Sequence, residues 1–399
     1  MIESTPKETI WSFPYIALMA VNFFQSMAAF MTNTTLPLYL DSLGAATSMV
    51  GVVIGAFAIT ALLVRPFAGP AFDSFSRKRL LLVAQLLIAV SLVGYGVVGS
   101  VPGLFCVRLL HGIGIGCAGP LGMSFVSEFL PASRLASGIS IYALAQSFAQ
   151  VIGPAVGLWL VENMGFSNAY FLAAGFLCLA MAGVLFVKEP ARERLPYRFA
   201  PNRMFAREAV PKAGVLCLLA IAFAGSTSYF VLYGNLLGIE GIGTYFVVYA
   251  LCLVGTRPAF GKMADRFGSP RVLVVGCLFF AASYVMLWQV RDFAGIIVVA
   301  VVGSAGFGAC APLIQSMALG SVPPERRGAA SNTAFTGLDL GMLLGPAMAG
   351  FVIEALVSVT GGLTQAYSAM WLVMVAPIAL ALAVVLRWAT PLTARPKVG

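Results

Sequence analysis

Among the ionisable side chains inside long apolar stretches of the sequence, where a charge is costly, three are candidates for proton and substrate chemistry. Asp339 lies near the middle of the apolar run 329–356, and Arg108 and His111 lie three positions apart in the run 103–126. A carboxyl group taken out of water favours its protonated form and can exchange protons as its access to water changes. We therefore expect Asp339 to carry protons, and Arg108 and His111 to meet an anionic substrate group or to modulate a nearby proton site.

Structural roles remain open for all three side chains. Asp339 can instead make a buried hydrogen bond or an ion pair between helix bundles, and Arg108 can serve in structure or gating. For His111 the sequence supports a structural role and a transport role equally.

Uncharged polar side chains form a second set of candidates. Tyr142, Gln146 and Gln150 recur every four residues, so they lie on one face of a helix. Taken singly, each is more often an interhelical hydrogen-bonding residue than a ligand contact. Taken together with polar residues of other apolar segments, they are predicted to line a central substrate-binding cavity. The other predicted lining residues are Asn22, Gln25, Asn33, Tyr229, Asn235 and Gln315.

The elements that position these residues are membrane helices. With 60% hydrophobic residues, 10% charged residues and a mean hydropathy of +0.94, the 399-residue chain has too little polar surface for a water-soluble particle. Twelve stretches are long enough to cross a bilayer. They are 12–39, 47–71, 80–100, 103–126, 136–160, 166–187, 213–236, 241–260, 271–290, 293–320, 329–356 and 366–388.

The twelve stretches form an internal repeat, with six stretches in each copy. Asp73 and Asp265 each end a Gly-x-x-x-Asp run, and they lie 192 positions apart. The same offset relates Gly153-Pro154 to Gly345-Pro346. A duplicated, highly apolar unit of this length is typical of a secondary transporter that handles its substrate between two halves.

The basic residues set the topology and the boundary between the halves. The net charge of +9 is concentrated on loops that share one side of the membrane, and segment 188–212 alone carries seven Lys or Arg residues. The excess of positive charge predicts that both termini and this segment are cytoplasmic. We therefore expect an N-terminal six-helix bundle over 1–187, a cytoplasmic linker over 188–212 and a C-terminal six-helix bundle over 213–399.

The repeated motif carries a resemblance to a known family. Positions 261–271, with Gly261, Asp265 and Arg266, resemble the loop motif that follows the second helix of each half in the major facilitator superfamily, and the resemblance extends over essentially the whole chain. The first copy, with Gly69, Asp73 and Arg77, departs from it. Ser74 replaces a basic residue and Ser76 replaces a glycine, so the charge network of the first copy is expected to be the weaker one.

The resemblance implies a fold and a gate. The fold class is an all-α membrane protein with twelve transmembrane helices in two pseudo-symmetric six-helix bundles, the major facilitator fold. In that family the motif aspartate contacts the N-terminus of a helix in the other half, so Asp73 would meet the start of 329–356 and Asp265 the start of 136–160, closing the cytoplasmic side. The alternative is that these motif residues act only in turns and topology.

Two further motifs resemble those of the family's drug/proton antiporters. Gly153 and Pro154 belong to a glycine-rich element of the fifth helix that is associated with export and is assigned here to gating, although generic helix packing would also explain it. Arg108 begins an Arg-x-x-x-Gly-x-Gly pattern through Gly114, for which the resemblance implies a role in proton transfer.

Several classes of function are excluded by what the sequence lacks. It has no phosphate-binding Gly-x-x-x-x-Gly-Lys-Ser/Thr run, no metal-ligand cluster and only one histidine, so no catalytic residues, cofactor or metal are expected. The interpretation is a proton-coupled exporter of small organic molecules, with protons, a small-molecule substrate and the lipid bilayer as partners and no nucleic acid. We expect a monomer in the bacterial inner membrane.

The sequence also bears on the cargo and the alternatives. The first helix has Asn22, Gln25 and Asn33 and no acidic residue, which favours neutral, zwitterionic or anionic cargo over lipophilic cations. A proton-coupled importer of a small metabolite is the alternative, because direction follows from gradients and not from fold. A membrane receptor or a membrane-embedded enzyme is a remote one.

Overall fold

A computed structural model describes residues 9–45, 47–191, 195–198, 204–240, 242 and 244–389. The side chains at positions 41, 47, 48, 50, 51, 231, 232 and 235 lie outside this description. Within the described ranges the chain forms helices and connecting turns and no β-strand. Ten helical stretches of this part are long and apolar enough to cross a bilayer.

The chain divides into two compact units. The first holds Met1–Val210 with Ala318–Thr336, and the second holds Pro211–Met317 with Gly337–Gly399. The sequence-based division at segment 188–212 stays a prediction.

Five helices lie wholly in the first unit, and Gly165 divides the last of them. They are α1 (Phe13–Ser42), α2 (Thr47–Ser74), α3 (Arg77–Val97), α4 (Val101–Val126) and α5 (Leu135–Phe186). Gly165 has a φ of 80°, a value that favours glycine, so α5 consists of two successive helices. This break separates the predicted segments 136–160 and 166–187.

The second unit contains most of the remaining helices. They are α6 (Val210–Leu236), α7 (Thr244–Phe267), α8 (Ser269–Gln289), α9 (Phe293–Gly303), α10 (Ala309–Gly320), α11 (Arg327–Thr360), α12 (Leu363–Val373) and α13 (Val375–Ala389). Part of α10 and the first ten residues of α11 belong to the first unit.

Two predicted segments are interrupted. The run 293–320 contains a wide π-type turn over Ser304–Gly308, where Gly306 leaves helical geometry with ψ −113°. The run 366–388 is divided at Met374. With the two parts of α5 counted separately and these interruptions joined, the helices are consistent with the twelve expected segments.

Small residues allow helices to approach closely within each unit. In the first unit a Cβ added to Gly153 would lie 2.9 Å from Cβ of Phe30 on α1. In the second unit a Cβ added to Gly345 on α11 would lie 2.9 Å from the backbone nitrogen of Gly225 on α6. Neither position has room for a larger side chain, so the paired glycine elements have a packing role in both copies.

Candidate gate and transport site

The Asp73 carboxylate binds the N-terminus of α11. Oδ1 accepts a hydrogen bond from the Gly328 N–H at 2.8 Å and Oδ2 accepts one from the Ala329 N–H at 3.1 Å. The side chain is buried, with Asp73 only 4% exposed. A carboxylate suits this place because the first backbone N–H groups of a helix lack intrahelical acceptors and carry partial positive charge. The contact expected between Asp73 and this helix start is present.

Arg77 holds the carboxylates of this site together. Its Nη2 lies 3.4 Å from Asp73 Oδ1, and its Nη1 lies 2.6 Å from Glu128 Oε1. The guanidinium also donates to the backbone oxygens of Phe72 and Pro324. Arg77 is fully buried, so these charge-assisted bonds compensate for its loss of water.

This geometry shows that the first motif copy has a charge network although Ser74 replaces a basic residue, and the expected ranking of the two copies stays a prediction. Arg77, one helical turn after Asp73, supplies a cation beside the aspartate even though Ser74 does not. Glu128, in the turn just after α4, is the residue that sequence reasoning missed here. Its only sequence signal is an acidic side chain just after an apolar run, which does not reveal its partner.

The first residues of α11 donate hydrogen bonds to backbone oxygens of α2, of α4 and of the turn that follows α4. Ser331 Oγ donates to the Pro120 oxygen at 3.0 Å, and Asn332 Nδ2 donates to the Arg65 oxygen at 2.8 Å. Arg327 donates to the Ser127 oxygen at 2.8 Å. These bonds fasten the helix start at several points besides Asp73.

The second motif copy has a different environment. Asp265 is half-buried, and Gly261 is buried within α7. Arg266 is exposed, and its guanidinium lies 5.1 Å from the ring centroid of Phe267. Gly268, with φ 90°, makes the turn into α8. The predicted contact of Asp265 with the start of 136–160 stays a prediction.

Arg108 is enclosed by neutral groups. Its Nη2 donates to Asn33 Oδ1 at 3.2 Å, its Nε donates to the Ile54 oxygen at 3.2 Å, and its guanidinium carbon lies 4.6 Å from the ring centroid of Phe57. Arg108 is 1% exposed, and its Nη1 has no hydrogen-bond partner among the described residues. The pairing of Arg108 with Asn33 joins two residues that the sequence assigned to separate roles.

His111 belongs to a buried chain of polar rings. Its Nδ1 lies 3.1 Å from the Tyr95 hydroxyl, and the Tyr95 ring packs on Tyr170 with centroids 5.3 Å apart. Thr35 donates to the Tyr170 hydroxyl at 3.3 Å. His111 Nε2 is buried and has no partner within the described chain. Tyr95 and Tyr170 were missed from the sequence, because aromatic residues in an apolar helix look like ordinary packing residues.

The other predicted lining residues of the first unit have varied surroundings. Asn22 Nδ2 donates to the backbone oxygen of Tyr142 at 3.1 Å, which ties α1 to α5. The Tyr142 side chain is buried, Gln146 is exposed and Gln150 is half-buried, so the three residues of this stripe do not share one environment. Gln25 is half-buried on α1.

Predicted site residues also occur in the second unit. Tyr229 lies on α6 with its ring 6.0 Å from that of Tyr367, and Gln315 is buried in α10. Asp339 is half-buried in α11. The Asn235 side chain lies outside the described residues. A shared cavity lined by both sets of residues stays a prediction.

The described residues thus offer two kinds of chemistry. One is a set of ion pairs and helix-terminal bonds around Asp73, whose Coulomb energy depends on access to water. The other is a buried cation, Arg108, beside a titratable ring, His111. No group of three or more His, Cys, Asp or Glu within the described ranges is arranged to hold a metal ion.

Comparison with known proteins gives consistent matches. The family model described as Major Facilitator Superfamily matches residues 18–255 and 215–399. A staphylopine export protein of Staphylococcus aureus is 27% identical over 296 residues, which are 69% of this chain and 72% of that protein. Multidrug resistance protein 1 of Bacillus subtilis is 24% identical over 329 residues, which are 80% and 84% of the two chains.

The fold also matches a solved transporter. The Escherichia coli fucose:proton symporter FucP has a TM-score of 0.77 with 16% identity, and the match covers 94% of this chain and 98% of that one. The family model and the fold thus agree over nearly the full length. This chain is a multi-pass membrane transporter that belongs to the Major Facilitator Superfamily.

Proposed function

We propose that the protein is a proton-coupled exporter of small organic molecules with neutral, zwitterionic or anionic character. It works by alternating access, in which two bundles expose one central site to either side of the membrane in turn. Bacterial relatives named for multidrug resistance and export support an exporter in the plasma membrane. The proposed orientation has both termini in the cytoplasm.

The cargo assignment depends on the surroundings of Arg108. Each of its described hydrogen bonds goes to a neutral oxygen, at Asn33 and Ile54, and none goes to a carboxylate. A guanidinium buried without an opposite charge is expensive in a membrane protein, and an incoming anion lowers that cost. A cargo with a carboxylate or another anionic group is therefore the proposed ligand of Arg108 Nη1.

Asp339 is the proposed proton carrier. It is half-buried within a membrane helix and can bind or release a proton when its access to water changes. In an exporter, proton entry from outside would drive cargo in the opposite direction. His111 and Arg108 would tune this exchange electrostatically.

The contacts of Asp73 with α11 form the proposed cytoplasmic gate. Opening the cytoplasmic side requires the helix start to leave the Asp73 carboxylate, and closing restores those bonds. Opening is costly because the buried Asp73 carboxylate then loses the two N–H donors of the helix start.

Transport in proteoliposomes tests the function. Purified protein, an internal pH dye and a panel of organic anions, zwitterions and cations should give substrate-dependent proton movement with the first two classes. Asp339→Asn should abolish the proton signal, and Arg108→Gln should lower anion transport at least about tenfold, the effect of losing one charged hydrogen bond of about 1.5–3 kcal/mol. Arg108→Lys is the charge-matched control.

Two outcomes would overturn these assignments. Robust transport of a cationic dye that Arg108→Gln leaves unchanged contradicts the cargo class. Proton movement only in the direction of the cargo identifies an importer.

A further inference from the structure

We propose that the cytoplasmic linker is a working part of the gate, a strap that holds the gate closed until it is released. The strap comprises residues 189, 195–197 and 204–208. The inference depends on the proposed gating role of Asp73, and it adds a device that the motif residues alone do not contain. All the contacts used below lie within the first unit.

The beginning of the strap is fixed to the turn between α2 and α3. Glu189 Oε1 accepts the Arg77 N–H at 2.9 Å, and its other oxygen accepts the Ser76 hydroxyl. Glu189 therefore caps the N-terminus of α3, the helix that carries Arg77. The linker thus positions the central cation of the gate.

The middle of the strap lies against Asp73 itself. The Leu195 N–H donates to the Asp73 backbone oxygen at 3.3 Å. The Tyr197 ring lies 5.6 Å from the Phe75 ring. Leu195 also lines a small cavity together with Asp73 and Arg326.

The end of the strap is fixed to the other partner of the gate, the start of α11. The Ala206 N–H donates to Thr333 Oγ1 at 3.0 Å, and Arg326 Nη1 pairs with Glu208 Oε1 at 2.8 Å. Met204 crosses Gly69 of the motif so closely that a Cβ at Gly69 would touch its backbone oxygen. A side chain at Gly69 would therefore displace the strap.

The strap consequently holds both partners of the gate. Its first part binds the segment that carries Asp73 and Arg77, and its last part binds the helix start that Asp73 caps. Separating these partners therefore requires some strap bonds to break in addition to those of Asp73. A linker that only joined two domains would need no bonds at these positions.

Thiol labelling of a buried reporter tests the strap. Ala330→Cys places a cysteine in the buried start of α11, in a chain whose seven native cysteines are replaced by serine or alanine. N-ethylmaleimide should react with it only when the gate opens. Ala334→Cys, also buried, is a second reporter in case the first one perturbs folding.

The two strap variants are Glu208→Gln, which removes an ion pair, and Thr333→Val, which removes a hydroxyl acceptor, each at nearly constant side-chain volume. Labelling should accelerate about three- to tenfold, the effect of one or two weak polar contacts. Glu354→Gln, an exposed change in the distant part of α11, is the matched control and should leave the rate unchanged.

Asp73→Asn in the same assay separates the two proposals. Faster labelling with Asp73→Asn but not with the strap variants overturns the strap and leaves the gate. An unchanged rate in all three variants overturns the gate and the strap together.

Discussion

The two copies of the loop motif have different surroundings, and their sequences do not predict the difference. The second copy keeps Arg266 and Gly268, yet its Asp265 is half-buried and its Arg266 is exposed. The first copy lacks the corresponding residues, yet Asp73 is buried and bonded to a helix N-terminus. The strength of a motif therefore depends on which neighbours it meets as much as on its own residues.

The reason lies in residues outside the shared pattern. At the offset of 192, Arg77 corresponds to Ser269 and Glu128 corresponds to Gly320. The second copy thus lacks both charges that complete the network of the first. Duplication preserved the motif aspartate, and divergence left basic and acidic residues at positions 77 and 128 of the first copy alone.

The largest effect is expected for Arg77→Ala. This change leaves two buried carboxylates, Asp73 and Glu128, without their shared cation, and it should lower the free energy of unfolding by about 3–5 kcal/mol. Denaturant titration in detergent measures the loss. Arg79→Ala, an exposed neighbour, is the control and should have little effect. Equal losses for the two variants would mean that the ion pairs of Arg77 do not strengthen the first copy.

Asp73→Asn should have the next largest effect. The amide keeps one acceptor but removes the charge that binds two helix N–H groups, so we expect a loss of about 2–3 kcal/mol in the same titration. Asp292→Asn is a matched change, because Asp292 caps α9 at an exposed site where Asn caps about as well. A negligible loss at Asp73 would mean that the helix start is held by its other bonds.

Asp265→Asn should cost less than Asp73→Asn, at most about 1 kcal/mol, because Asp265 is only half-buried whereas Asp73 is buried against a helix N-terminus. The two variants, unfolded side by side, measure the asymmetry of the copies directly. If Asp265→Asn is as damaging as Asp73→Asn, the second copy is as strongly built as the first.

The smallest effect is expected for Arg266→Ala. An exposed guanidinium over the Phe267 ring contributes about 0.5 kcal/mol, so the variant should unfold close to wild type. Arg266→Lys retains a cation over the ring and should be closer still. A loss above that of Asp265→Asn would assign Arg266 a partner beyond this ring.

The helices were largely predictable from the sequence, since apolar run length reports directly how much chain must leave water. The turn over Ser304–Gly308 was not predicted, although Gly303, Gly306 and Gly308 hint at a weak helix there. Hydropathy does not register such a break because its residues are as apolar as the helix around them.

The candidate site was predictable in part. Arg108 and His111 were chosen because a charge in an apolar run needs a reason, and Asp73 was chosen because its motif occurs twice. Their partners Tyr95 and Glu128 were not, since contacts between distant positions leave no trace in composition or spacing. The Arg108 bond to Asn33 joins α4 to α1 across 75 positions, and no local pattern reveals it.

Helix α11 runs from Arg327 to Thr360, so one helix carries both Gly328 and Asp339. Its tip is capped by Asp73, and Asp339 lies three turns further along the same helix. If Asp339 carries the proton as proposed, the step that changes its charge and the step that frees Gly328 from Asp73 both act on α11. Proton binding and gate release would then be coupled through the backbone of this one helix.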